Sequence, residues 1–419
     1  MEITPPVGVP TGGGGHDGYV KTEYVLDPLY ARALALNSPD GDLMLLQADL
    51  LGLSQAKAEA IAARIAERTG IPAGHVLIVC PQTHNAGCTF NRDFPDAVMS
   101  DIVSAAHRAW YEALEERLAG VAAQAAGRRR PALAGLARGC CRGVSGNRRA
   151  LMKAGGIRMA WSDPPPEEVL AWGPEDEDLI VIRLRDAETG KALAALWHFT
   201  GHPNSLWMLP CFSRDYPGVV EDLLMRRDPD CVVLFCNGFC GDMDTYRCMG
   251  VSKEIYTYPF YKEPGRDLTP NIQAMRRLGG MLGAAVQKLS DEATPPKEPW
   301  HAVGIGRTWL TCRVRDDAAH YAGHFLPEVE LAAFRIGPVG FACAPFEPVA
   351  ALALAVKRQS PAPVTVTVGH TPAYRGYLPD QRTLDEGGFE AGTSWRGYAP
   401  GAGEQVAQTL VQCLAHLFG

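Results

Sequence analysis

Four times in this chain of 419 residues an apolar run of strand length ends in a polar cluster. Val76-Leu77-Ile78-Val79 leads into Gln82-Thr83-His84-Asn85, and Leu193-Ala194-Ala195-Leu196 leads into His198-Phe199-Thr200-Gly201-His202-Pro203. Val232-Val233-Leu234-Phe235 leads into Cys240-Gly241-Asp242-Met243-Asp244, and Phe341-Ala342-Cys343 leads into Glu347. Strand ends that converge on one edge of a sheet are where α/β proteins gather reactive groups. The pattern predicts an α/β fold whose active site is assembled from strand exits.

Between these runs, strand and helix patterns alternate. A helix is expected over 55–68, capped by Ser54 and stopped by Gly70 and Pro72. Others are expected over about 97–119, 219–225, 269–289 and 403–417, and after Pro348. Val406, Leu410, Leu414 and Leu417 form the apolar face of the last. Segments 179–184 and 193–199 read as a hairpin around Glu188-Thr189-Gly190-Lys191, and 328–336 with 339–343 as a second around Gly337-Pro338. Further strands are expected over 43–53, 76–80, 232–235 and 364–368. Segments 12–18, 163–175 and 374–403 read as loops, and loops this long are usually functional or disordered. No internal repeat and no linker between two self-sufficient halves is evident. The expectation is one large mixed-sheet domain over 1–419, more complex than a doubly wound sheet.

Composition narrows the partners. Forty basic against 47 acidic residues give a net charge of −7, which argues against nucleic acid. The run Arg128-Arg129-Arg130 reads as a solvated loop before Pro131. No apolar stretch reaches about 18 residues, so no membrane span is expected. The start Met1-Glu2-Ile3-Thr4-Pro5-Pro6 lacks the regions of a secretory signal. Twelve cysteines without an export signal point to reduced thiols and a cytoplasmic location.

Several motifs invite chemistry. Gly12-Gly13-Gly14-Gly15 lacks the strand, helix and Lys-Ser/Thr pair of a phosphate loop and reads as a loop beside a site. His84 and His202, with Glu347 from a third segment, would make a catalytic zinc set with one open position. His320 and His324 have helical metal-pair spacing without a following Glu and read as surface residues. Cys240 or Cys236 is a thiol nucleophile or a small buried residue. Asp242 and Asp244 are equally compatible with turn and cap roles.

Taken together, the clusters resemble the catalytic domain of the neutral, non-lysosomal ceramidases and their bacterial relatives. The resemblance runs from Ile3-Thr4-Pro5-Pro6-Val7-Gly8 to the last helix, without the family's C-terminal immunoglobulin-like domain. Gly201-His202-Pro203-Asn204-Ser205-Leu206 is similar to the segment with a zinc-binding histidine, which implies that role for His202. Pro345-Phe346-Glu347-Pro348 implies a ligand role for Glu347, and Tyr374-Arg375-Gly376-Tyr377 implies one for Tyr377. Ser145-Gly146-Asn147-Arg148-Arg149 resembles the family's Asn-Arg segment, which implies that Arg148 lies in the site.

Three positions depart from the pattern. The family's first zinc-binding histidine is Gln82, its ceramide-cleaving serine is Asp244, and its catalytic tyrosine is Phe389. Glutamine is a weaker zinc donor than imidazole. What the resemblance implies is a zinc-dependent hydrolase of an amide (N-acyl) bond. Zn2+ would be held by His202, Glu347, Tyr377 and one of Gln82 or His84, Asp244 or His84 would manage protons, and Arg148 would hold a substrate oxygen. A binding protein on the same fold is the alternative. The expected partner is a small amide-bearing molecule, with no nucleic acid and no membrane; self-association into a homo-oligomer is left open.

Overall fold

The computed structural model describes residues 1–12, 20–89, 104–206, 209–250, 269–314, 327–393 and 398–419. Its three principal sheets repeat one plan: a hairpin, a helix, a strand parallel to the second hairpin strand and, after a long connecting segment, a second helix. In the first repeat, β1 (Ala31–Ser38) and β2 (Gly41–Ala48) are antiparallel, α1 (Gln55–Thr69) crosses over, and β3 (Val76–Val79) lies parallel to β2. The second helix, α2 (Ala105–Gly127), closes that repeat. The next strand, β4 (Ala132–Cys140), joins the following sheet at its edge.

The second repeat runs through β5 (Asp178–Asp186), β6 (Ala192–Phe199), α3 (Asp215–Arg227), β7 (Val232–Asn237) and α4 (Thr269–Glu292). The edge strand β8 (Val303–Thr311) then leads into the third, made of β9 (Glu328–Ile336), β10 (Val339–Cys343), α5 (Ala350–Gln359), β11 (Val364–Val368) and α6 (Ala402–Phe418). A parallel neighbour requires a crossover of a dozen residues or more, and a helix is the economical one. The repeats share this geometry without a shared residue pattern, which is why the sequence shows no repeat.

Side-chain alternation explains how the sheets assemble. In β5, Ile180, Ile182 and Leu184 face a central core that all three sheets share, while Leu179 and Val181 face α3 and α4. In β2, Leu43 and Leu45 face that centre, and Met44 and Leu46 face α1 and α2. In β9, Ala332 and Phe334 face inward, and Leu331 and Ala333 face α5 and α6. Strands buried on both faces read as continuous apolar runs, the pattern met in the sequence.

Local signals act as expected at several boundaries. The Ser54 hydroxyl accepts from the Lys57 amide at 3.3 Å, and Gly70 closes α1 in the left-handed region at φ 73°. Asp186 Oδ1 accepts from the amides of Glu188 and Thr189 in the hairpin turn between β5 and β6. Three expectations shift. The second helix begins at Ala105, capped by Ser104, and its alanine-rich end continues to Gly127; residues 97–103 lie outside the described residues. Segment 163–175 contributes the strand Val169–Trp172, which pairs with Arg149–Met152. Segment 374–403 contributes Tyr377–Leu378, parallel to Glu347–Pro348, and two short helices.

Candidate functional site

The carboxyl ends of the strands in all three repeats open onto one buried polar centre. From the second repeat, β6 runs through Thr200 and Gly201 to His202. The His202 amide and its ring Nδ1 both lie on the Met243 carbonyl, at 2.9 and 3.0 Å. That leaves Nε2 pointing at the other two repeats. It lies 2.9 Å from Glu347 Oε2 and 3.1 Å from the Gln82 amide nitrogen. Glu347, at the exit of β10, accepts the Tyr374 hydroxyl on its other oxygen at 2.5 Å. Gln82, beyond β3, has φ 71°, and its Oε1 accepts the Cys240 thiol at 3.0 Å. Gly241 lets these segments meet, since a Cβ there would stand 2.4 Å from the Glu347 carbonyl.

A second layer surrounds that centre. The Tyr377 ring lies near-parallel to His202, with centroids 6.4 Å apart, and its hydroxyl accepts from Arg148 Nη2 at 3.2 Å. Arg148 also donates from Nε to Glu390 at 2.7 Å and from Nη2 to the Gly241 carbonyl at 2.7 Å, while Nη1 stands 3.5 Å from Asp244. Asp244 accepts the Tyr246 amide at 2.9 Å. His84 is half-buried, its ring centroid 5.6 Å from that of His202. His84, Tyr374 and Tyr377 are only partly buried, whereas Gln82, His202, Cys240 and His370 have no exposed surface; the former therefore mark the mouth.

Electrostatics follow from burial and pairing. Burial opposes a charge on His202, but Cys240 and the Glu347 carboxylate raise its pKa to about 10. Burial likewise opposes the Glu347 carboxylate. The hydrogen bond and charge of His202, with His370 and the Tyr374 hydroxyl, outweigh it and hold Glu347 well below the usual carboxylate range. Asp244 is pushed up by burial, against the pull of Arg148 and His202.

Either a proton on His202 or a bound cation can balance the Glu347 carboxylate. With Nδ1–H committed to Met243, Nε2 lies 2.9 Å from a Glu347 carboxylate oxygen and 3.1 Å from the Gln82 amide nitrogen, and the raised pKa keeps a proton on it where no cation is bound. Two acceptors that close need a proton or a metal ion between them. The donor set fits a divalent ion of modest affinity. His202 and Glu347 are strong donors, Tyr377 offers a phenol, and Gln82 offers only a neutral amide oxygen. Among the described residues, no group of three or more His, Cys, Asp or Glu side chains is arranged to hold a metal, so the phenol and the amide have to complete any such site.

The residues singled out in the sequence separate into groups. Gln82, His202 and Glu347 meet directly; Tyr377, Arg148 and Asp244 form the next layer, and His84 stands at the mouth. Asp242 is a cap: its carboxylate accepts the Ala350 amide at the start of α5 at 2.7 Å and Asn147 Nδ2 at 2.7 Å. Cys236 lies in the central core, where burial pushes its thiol up to about 12, which removes it as a nucleophile. Trp197 stacks on Phe235 at 4.0 Å in the helix-side core. Gly13, Gly14, Gly15, His320, His324, Trp207 and Trp395 lie outside the described residues.

Sequence reading missed three members. Glu390 clamps both Arg148 and Arg149, at 2.7 and 2.8 Å. Tyr374 holds Glu347. His370 is fully buried beside Glu347 and His202, and burial pushes its imidazole down to about 3. The signal for His370 was present, because the β-branched run Val364–Val368 ends in Gly369-His370.

The fold that these sheets define is ceramidase-like. The neutral ceramidase from Pseudomonas aeruginosa superposes with a TM-score of 0.77 at 16% identity, covering 100% of this chain and 73% of that one. A ceramidase complexed with C2 superposes with a TM-score of 0.75 at 15% identity, covering 99% and 74%. No protein-family model matches the sequence, and no curated protein matches it.

Proposed function

We propose that this protein hydrolyses an amide (N-acyl) bond in a small, soluble substrate, with a divalent cation, zinc, at His202, Glu347, Tyr377 and one of Gln82 or His84. The observation that carries this reading is the convergence of an imidazole, a carboxylate and a phenol from separate strand exits in a ceramidase-like fold. When bound there, such an ion supplies Lewis acidity toward a carbonyl and toward water. The Met243 carbonyl fixes the His202 ring so that Nε2 faces inward, and Tyr374 fixes the Glu347 carboxylate. With Gln82 as the fourth donor, His84 at the mouth would move the proton to the leaving nitrogen. Arg148 Nη1 keeps donor capacity toward a substrate oxygen, and Asp244 balances the guanidinium charge.

A small soluble substrate fits a chain in which no helix among the described residues is long and apolar enough to cross a membrane. A second reading, binding without cleavage, is favoured by one observation: the Gln82 amide nitrogen, rather than a third strong donor, faces His202 Nε2.

Elemental analysis of protein purified without added metal, beside His202→Ala, separates the two. About one zinc per chain, lost in the variant, supports the hydrolase and directs a screen of N-acyl p-nitroanilides. No bound metal and no thermal shift on adding zinc would overturn the metal-dependent reading in favour of binding.

A further inference from the structure

Buried polar groups are nearly always hydrogen-bonded, so each exception calls for an explanation. His370 is a double exception. It has no exposed surface, and neither ring nitrogen has a hydrogen-bond partner among the described residues. A neutral imidazole carries one N–H and one lone pair, and burying both unmatched is costly. The backbone adds strain, because His370 sits at φ 54°, a conformation uncommon for a side-chain-bearing residue. A histidine with no task would not be expected to combine both costs.

Its place in the repeats is also informative. Gln82 in the first repeat and His370 in the third each follow the parallel strand and adopt a left-handed backbone. Each also donates its amide to the loop leaving the hairpin, Gln82 to Leu50 at 3.1 Å and His370 to Phe346 at 3.0 Å. Gln82 turns its side chain onto His202. The His370 ring stacks on Tyr374, with centroids 5.8 Å apart at 12°, and its electrostatic neighbours are Glu347 and His202. The two residues occupy corresponding positions around one centre. The Gln82 side chain is matched by protein groups, and the His370 side chain is not.

We propose that His370 is a substrate-binding residue of this centre, presenting a ring N–H or a ring lone pair to a neutral hydrogen-bonding group, a hydroxyl or a second amide, carried next to the scissile bond. The proximity of the Glu347 carboxylate disfavours an anionic group there. The inference rests on the amide-hydrolase reading for its substrate class, but not for its assignment of His370 as ligand-facing.

The test compares the full-length protein with His370→Leu and His370→Asn. Leucine has similar volume and no unmatched polar atom; asparagine keeps a donor and an acceptor and tolerates the left-handed backbone. His370→Asn, which suits the left-handed backbone, is expected to keep Tm within about 2 °C of the native protein, whereas His370→Leu trades two unmatched nitrogens for a more strained backbone. With acetyl, glycoloyl and succinyl p-nitroanilides as probes, the native protein is expected to favour the glycoloyl compound over acetyl about 10-fold in kcat/KM, with succinyl poorest. The preference is expected to vanish in His370→Leu and to survive in part in His370→Asn. A fall in Tm of more than about 5 °C for His370→Asn would mark a structural histidine, and an unchanged preference in His370→Leu would remove it from the substrate; either overturns the inference. If the native protein cleaves none of the three, the hydrolase reading is weakened separately, and the Tm of His370→Asn still decides whether His370 is structural.

Discussion

The Arg148 cluster and the His202 cluster lie side by side, equally buried, and differ in how their polar atoms are matched. Arg148 and Arg149 share Glu390, and Arg148 also reaches Gly241, Tyr377 and Asp244. The rings of Phe389, Trp161 and Tyr377 enclose the Arg148 guanidinium at 5.1, 5.3 and 5.7 Å. Around His202, by contrast, one ring nitrogen faces both a carboxylate and an amide, and nearby His370 bonds to nothing described. A matched cluster stabilises one arrangement of the chain. In the second cluster His202, Glu347 and Gln82 are matched to one another, and His370 alone keeps both ring nitrogens unmatched.

Glu390→Gln puts that contrast under the greatest stress. Removing the shared carboxylate leaves two buried guanidinium groups short of charge, and breaking a buried pair in this way costs about 3–5 kcal/mol. Urea unfolding monitored by tryptophan fluorescence is expected to show a loss of that size. A loss below about 1 kcal/mol would mean the Arg148 cluster is no more structural than its neighbour.

His198 sharpens the comparison from the other side, since it is buried and half matched. Its Nδ1 donates to the Cys236 carbonyl at 2.9 Å, and burial, aided by Lys357 against the pull of Asp176 and Asp178, lowers its pKa to about 4. An unfolded histidine titrates near about 6.5. Between those values the unfolded chain binds the extra proton, so stability is full above about pH 6.5 and falls as pH drops toward 4. The total is about 3 kcal/mol. His198→Asn retains an amide donor for Cys236 and is expected to flatten this acid limb in urea titrations from pH 7 to 4. An unchanged slope would assign the acid sensitivity to other groups.

These contrasts also show what the sequence could reveal. The strands buried on both faces were legible because continuous valine, isoleucine and leucine runs have few other uses. The residues at their exits, His202, Glu347 and Gln82, were legible as a result. The strand on one margin of each sheet was not: β1, β4 and β8 are interrupted by alanine or glycine, residues with little preference for strands, and hold their conformation through pairing. Glu390 and Tyr374 escaped because their meaning lies in contacts far along the chain, to Arg148 and Glu347. The threefold plan escaped because apolar faces and crossover lengths repeat while residue identities do not.

The smallest predicted change in stability is the most discriminating. Tyr374→Phe keeps the stack on His370 and removes only the hydroxyl that donates to Glu347 Oε1 at 2.5 Å. Tyr374 is partly exposed, so water can replace that donor, and the expected loss of stability is about 1 kcal/mol or less. Its effect on the site is expected to be larger. Outer partners that orient a ligand carboxylate typically contribute 10–100-fold to metal affinity, so zinc binding measured by calorimetry is expected to weaken by about 10-fold. A large stability loss with unchanged zinc affinity would place Glu347 and Tyr374 with Arg148 and Glu390, as groups matched for the sake of the fold. A small loss with weakened affinity would keep them on the functional side of the comparison.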